Sequence, residues 1–204
     1  MSKHYPKGEQ TRQKILEQAA QVFSVYGYAG TSLDALMQAT HLTKGGIYNH
    51  FGSKEALAVE ALDYAIKEMQ ARFWEYLTDS RSSRARLLAV VQTFRSSIDD
   101  PRFAGGCILL NTAVEADDTN PPLKERAQQG IDDWLLYIKR TIHKGIELGT
   151  VRPDTNAETV AGVMIATLEG ATMLAKLYDD PTHMYRACDH ITEYIESFLQ
   201  ENPT

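Results

Sequence analysis

The sequence predicts an all-α protein of nine helices: a small three-helix head containing a helix-turn-helix, followed by a longer helical body. Three observations carry this. Apolar residues recur at helical spacing along most of the chain, no run alternates with period two for long enough to make a strand, and the breakers fall between the apolar stripes. Ile15, Ala19, Val22, Phe23 and Tyr26 form one stripe. Leu123, Ala127, Ile131, Trp134, Leu135, Ile138 and Ile142 form another, with Gly149 placed to cap its end. Met184, Cys188, Ile191, Ile195 and Phe198 form a third. Gly27/Gly30, Gly52, Pro101, Pro121-Pro122, Pro153 and Pro181 separate the stripes. The spacing predicts helices over 9–26, 32–39, 43–50, 53–78, 83–98, 105–116, 121–148, 155–178 and 182–200. No repeat of 20–50 residues is visible.

The 204 residues are 43% apolar and 24% charged, the balance of an ordinary globular chain, which excludes disordered, collagen-like and disulfide-scaffold classes. The most apolar uncharged stretches, Phe103–Val114 and Thr159–Leu168, fall short of the roughly 18–20 residues needed to span a bilayer. Met1-Ser-Lys-His-Tyr-Pro-Lys lacks the apolar core of a signal peptide. Two cysteines, Cys107 and Cys188, make no disulfide framework and fit a reducing compartment. The expectation is a cytoplasmic protein that engages no membrane.

Charge is unevenly spread. The net charge of −6 argues against nucleic-acid binding, but residues 1–55 hold six Lys/Arg (Lys3, Lys7, Arg12, Lys14, Lys44, Lys54) against four acids, a balance of +2. The rest holds 15 basic and 23 acidic residues, a balance of −8. His41 to Lys54 carries two lysines, two histidines and no acid. This suggests a small anion-binding head on an acidic body. No linker separates them, so the helix starting near Ser53 joins a DNA-binding domain at 1–52 to a body at 53–204.

The head is the most informative segment. Thr31 or Ser32 can N-cap a short helix that turns Leu33, Leu36 and Met37 inward. A turn through Ala39-Thr40-His41 comes next, with Leu42 as its buried plug, and Thr43 caps a second short helix that keeps Ile47 and Phe51 at i, i+4. Two short helices joined by such a turn match the helix-turn-helix pattern, and the helix from Ile15 completes the small core. Several residues here are poor choices for a plain helix. Lys44 and Lys54 fall in first turns, where a cation costs about 0.3–1 kcal/mol against the macrodipole. Gly45 and Gly46 each cost about 1 kcal/mol against alanine in a helix interior. A phosphate backbone outside the helix reconciles both, since it compensates the cations and the glycines permit close approach. Tyr48, Asn49 and His50 then present hydrogen-bonding groups suited to phosphates and base edges. The plain alternative is a Gly-Gly loop with solvated lysines.

Thr11-Arg-Gln-Lys-Ile-Leu-Glu-Gln-Ala-Ala-Gln-Val-Phe-Ser-Val-Tyr-Gly-Tyr, Thr31-Ser-Leu and Gly45-Gly-Ile-Tyr-Asn-His-Phe-Gly-Ser-Lys-Glu-Ala-Leu together closely resemble the TetR-type transcriptional regulators over residues 9–57. The Tyr-Asn-His-Phe-Gly-Ser-Lys-Glu block is its most specific part. The resemblance implies a recognition helix in the major groove. Thr43, Lys44 and Gly45 then approach base edges, Tyr48, His50 and Lys54 hold phosphates, and Thr31 counts among the DNA-binding residues. Asn49 stands where a second aromatic is common and is open between a base and a phosphate role. The family also implies a homodimer on a palindromic double-stranded operator, most simply a repressor, with an unidentified small-molecule effector bound in the body. The basic N-terminal arm of some members is reduced here to Lys3 and Lys7.

In the body, Ala157, Ala161, Gly162, Ala166, Gly170, Ala171 and Ala175 put small residues on two faces of one helix. That suits a dimerising four-helix bundle, two helices from each subunit, with an internal helix of a monomer as the alternative. Glu169 interrupts this apolar helix and is open between a ligand anchor, a structural acceptor and an exposed edge. Tyr64, Phe73, Trp74, Phe94, Trp134 and Tyr137 could line an apolar pocket, though core packing explains them equally well. Cys107, in Gly105-Gly-Cys-Ile-Leu-Leu-Asn-Thr-Ala-Val-Glu, is expected in a helix's first turn, which favours the thiolate. The segment resembles a branch of the family in which some members sense electrophiles at this cysteine. A small buried residue capping a core helix is the competing reading, and Cys188 reads as structural.

Metal and enzyme readings find no support. His183 and Cys188 lie five apart, off one helical face, and His190 does not complete a ligand set. No Gly-x-Ser-x-Gly, P-loop or dinucleotide fingerprint occurs. Neither a cofactor nor a metal is expected. The runner-up function is a helical small-molecule-binding or protein-interaction module that no longer reads DNA.

Overall fold

A computed structural model describes residues 7–103 and 105–200; the expected arm residue Lys3 and the stretch Met1–Pro6 weighed as a leader lie outside the described residues. Among the described residues there are nine α-helices and no strand beyond one isolated bridge, Val151 to Leu199. They fall into two compact units. The first holds the described residues up to Glu68 together with Phe103–Gln128, the second Met69–Arg102 together with the described residues from Gln129 onward.

In the first unit α1 (Lys7–Gly30) packs on α2 (Leu33–Thr40) and on α6 (Ile108–Ala116), and α2 meets α3 (Lys44–Phe51). The start of α4 (Lys54–Tyr76) and of α7 (Pro121–Glu147) belong here too. Leu36, Ile47 and Leu57 are wholly buried, each removing enough apolar surface to contribute about 1.5–3 kcal/mol. The Arg12 guanidinium pairs with Glu60 and lies 4.7 Å from the centre of the Phe51 ring, fastening α1 to α3 and α4.

Caps match the sequence closely. The Ser32 hydroxyl accepts from the Ala35 amide at 3.0 Å, so Ser32 rather than Thr31 caps α2. His41 ends α2 in the left-handed region (φ 55°), which moves the turn to His41–Thr43 and leaves Leu42 only half-buried. Asn120 caps α7, its side-chain oxygen accepting from Leu123 at 3.1 Å. Pro121 and Pro122 open that helix, as the predicted span 121–148 has it, since its first turn needs no intrahelical N–H.

The first apolar stripe holds except at its end. Ile15, Ala19 and Phe23 are buried, whereas Tyr26 is 62% exposed, because α1 breaks at the next residue: Gly27 has φ 70°, ψ 175°. Helix α6 also starts later than its periodicity predicts, at Ile108. Gly106 is left-handed (φ 85°) and Cys107 is an extended N-cap residue that makes no side-chain capping bond.

In the second unit α8 (Ala157–Tyr178) lies along α9 (Thr182–Phe198), and α9 packs on α5 (Ser83–Ser97). Every residue of the third predicted stripe is buried. Helix α8 is apolar and long enough to cross a membrane by length and composition (22 residues, mean hydropathy 1.4), yet half of that window is buried by its neighbours, as in a core helix.

Candidate nucleic-acid interface

Helix α3 is short, amphipathic and capped at both ends. The Thr43 hydroxyl accepts from the Gly46 amide at 3.2 Å, and Gly52, at φ 75°, donates its amide to the Tyr48 carbonyl at 2.8 Å. Ile47 and Phe51 turn inward, which forces Thr43, Lys44, Gly45 and Asn49 outward, where all four are exposed. Tyr48 and His50 are half-buried at the edges of the same face. The Lys44 ammonium lies 5.9 Å from the Tyr48 ring centre. A Cβ added at Gly45 meets nothing within 4 Å, so this glycine is not demanded by packing inside the chain.

Lys54 opens α4, and its ammonium lies 4.4 Å from the centre of the Tyr28 ring. Burial pulls its pKa below the ordinary lysine range, and the charge of Glu115 acts in the opposite direction. Two cations therefore stand at two helix N-termini within one unit, each opposed by its own macrodipole. What the arrangement offers is an anion-binding face built around an exposed helix, with a glycine-lightened first turn for close approach.

Thr31 is not part of that face. It is 1% exposed, and its hydroxyl donates to the Gly27 carbonyl at 2.6 Å. That bond ties the start of α2 to the end of α1, so the structure places Thr31 at this junction and not with the exposed residues of α3.

The sequence pattern of the bacterial regulatory proteins of the tetR family matches residues 15–61, and that of the tetracyclin repressor-like C-terminal domain matches residues 83–191. The chain belongs to the TetR family. A TetR regulator from Chloroflexus aurantiacus J-10-fl is 43% identical, with a TM-score of 0.89 over 95% of this chain and 98% of that one. A TetR-family regulator from Cytophaga hutchinsonii is 34% identical, with a TM-score of 0.85 over 98% of this chain and 100% of that one. Among characterised relatives, the HTH-type transcriptional repressor DhaR of Mycobacterium sp. (strain GP1) is 28% identical over 81% of this chain and 82% of its own length. As a TetR-family member the chain is a DNA-binding transcriptional regulator and not an enzyme.

The other candidates lie on later elements of the chain. Trp134 is buried in an aromatic cluster, edge-on to Phe73 at 5.7 Å and 6.3 Å from Phe94. Trp74 is exposed, with its ring edge-on to Phe73 at 5.2 Å. Glu169 is 7% exposed, which excludes the exposed-edge reading and leaves the anchor and the structural acceptor. Both cysteines are thiols and both are buried. Cys107 sits one residue before α6 rather than in its first turn. Burial pushes the Cys188 thiol up to about 11.

Sequence reasoning passed over two residues that the structure makes prominent, Asn111 and Glu115. They stand four apart in a mostly apolar nine-residue helix, a spacing that puts both on one face. That was the available signal.

Proposed function

We propose that the chain is a homodimeric repressor that reads a palindromic operator through α3 and releases it when a small molecule, or a group added to Cys107, alters the body. Residues 1–52 are the DNA-binding head and 53–204 the ligand-binding and dimerising part. The observation that carries the reading is the exposed N-terminal turn of α3, Thr43-Lys44-Gly45, with its cation on the unfavourable end of the helix and open space beside Gly45. In this reading Thr43, Lys44 and Gly45 face base edges, Tyr48, His50 and Lys54 hold phosphates, and Asn49 contacts either. Such a protein works in the cytoplasm, where the DNA is.

Dimerisation is supported by α8. Gly162 and Gly170 have nothing within 4 Å of an added Cβ, and Val163, Met173, Leu177 and Tyr178 are exposed on the same helix. Trp134 and Glu169 are the proposed effector-responsive residues, supported by their burial in an otherwise apolar body. The thiol route is supported by packing. With Cys107 7% exposed at the N-cap of α6, a group added to its sulfur obliges that helix to shift.

The test is selection of random-sequence duplex DNA by the purified chain at physiological salt. A palindrome among the retained duplexes is expected; no shared motif from a folded dimer overturns the reading in favour of a binding module. With that operator in hand, Lys54→Ala and Tyr48→Phe should weaken every sequence alike, while Lys44→Ala should also change the preferred bases, each substitution costing about 1–3 kcal/mol or less. Competition titrations against single-base operator variants separate the two behaviours.

A further inference from the structure

Helix α1 breaks three residues before its end, and the carboxylate that meets the break comes from α6. Glu115 accepts from the Tyr28 amide at 2.7 Å and from the Ala29 amide at 2.6 Å. Both are charge-assisted bonds, of the stronger kind that neutral pairs do not match. A Cβ at Gly27 would come within 2.7 Å of a Glu115 oxygen, so the same glycine that allows the positive φ also makes room for the carboxylate. One turn earlier on α6, the Asn111 amide donates to the Ser24 carbonyl of α1 at 3.1 Å and to the Gly105 carbonyl at 3.0 Å. Gly105 is itself pressed on α1, since a Cβ there would collide with the Ser24 carbonyl. The segment from Gly105 to Glu115 is therefore built around α1. Its glycine gives the approach, and its two polar side chains take the carbonyl before the break and the amides after it.

The link continues to the DNA face. The Tyr28 backbone is held by Glu115, and the Tyr28 ring, stacked against Phe23 at 6.2 Å, carries the Lys54 ammonium. We infer that Glu115 is a positioning residue for operator binding: by clamping the two amides after the Gly27 break it sets the Tyr28 ring, and through it the place of Lys54 at the phosphate backbone. The inference rests on the DNA-reading function proposed above and gives α6 a direct hold on it. A shift of α6 that pulls Glu115 away frees the end of α1 and displaces a phosphate-binding cation.

The test uses the full-length chain and the duplex selected by the unaltered protein, titrated over a series of salt concentrations. Removing a carboxylate near a DNA-binding face should by charge alone tighten binding. The clamp predicts the opposite sign: Glu115→Ala weakens operator binding by roughly 5- to 100-fold. It also lowers the slope of log K against log salt by about one per head, as Lys54→Ala does. The double variant should be little weaker than Lys54→Ala alone. Equal or tighter binding by Glu115→Ala, or a slope unchanged from the unaltered chain, overturns the inference. Should Glu115→Ala lose its helicity, Glu115→Gln keeps one accepting oxygen and should show the same changes at smaller size; an unchanged slope there overturns the clamp equally. If the unaltered chain retains no common duplex, the DNA-reading proposal fails and the clamp with it, a result distinct from a Glu115 variant that binds like its parent.

Discussion

A methyl group at position 27 would have two faults at once. The backbone there is left-handed, and the new Cβ would touch the Glu115 carboxylate. Gly27→Ala should therefore destabilise the chain by about 1–3 kcal/mol, read as a lower urea midpoint with an unchanged m-value. The two thiols differ in what they can do. Cys188 is held in its neutral form by burial, with its sulfur 3.8 Å from the Val91 carbonyl, so its reaction with iodoacetamide at neutral pH should be far slower than that of an unfolded chain. Its effect on stability depends on pH with a definite sign. With its folded pKa raised to about 11, the neutral thiol suits the folded state, and deprotonation above the ordinary thiol value favours unfolding, so stability is lost as pH climbs towards about 11. Thermal unfolding across that alkaline window, compared between the parent and Cys188→Ala, isolates the contribution: the parent's midpoint should fall more steeply with pH.

Helix α3 carries a trade-off that one substitution exposes. Gly45→Ala meets nothing within 4 Å in the chain and replaces a glycine in the first turn of a helix, so folding stability should rise by up to about 1 kcal/mol. Under the proposed docking operator affinity should fall, because the added methyl occupies the space the proposal gives to DNA. Denaturant titration and duplex binding on the same variant should move in opposite directions; a gain in both would place the DNA elsewhere. The elements also differ in how far they were legible. Stripes decided by burial alone, as in α7 and α9, appear where their period places them, because a repeating apolar face has only one way to be buried. The head drew attention for a second reason: Lys44, Lys54 and Gly45 break local helix rules, and such conflicts point to a partner outside the chain. Tyr26 was misplaced because it adjoins Gly27, whose positive φ redirects the backbone in a way that periodicity does not encode. Cys107 drew attention for its chemistry, while the neighbours that the structure uses, Gly105, Asn111 and Glu115, act on a helix some eighty residues away in sequence. Long-range polar contacts of that kind leave no local period.

At the scale of the whole molecule the issue is two heads acting together. Half-sites in successive major grooves are about 34–36 Å apart, so a pair of heads engages only when its separation suits that spacing. Disrupting the pairing should then cost far more than one contact. Met173→Arg, on the exposed face of α8, should convert the protein to monomers by light scattering and lower affinity for the full operator by about 10²–10⁴-fold, with half-site binding little changed. A dimer that persists with unchanged affinity would place the interface on another face. The broken end of α1 also supplies a built-in reporter of the assembled protein. Two neighbouring amides, Tyr28 and Ala29, donate to a single charged carboxylate at short range. Their proton resonances should be displaced downfield, and their exchange with deuterium slowed, for as long as Glu115 stays in place. Tracked in the free protein, on operator, and with each compound screened as an inducer, this pair of signals would register release of the carboxylate without any added label.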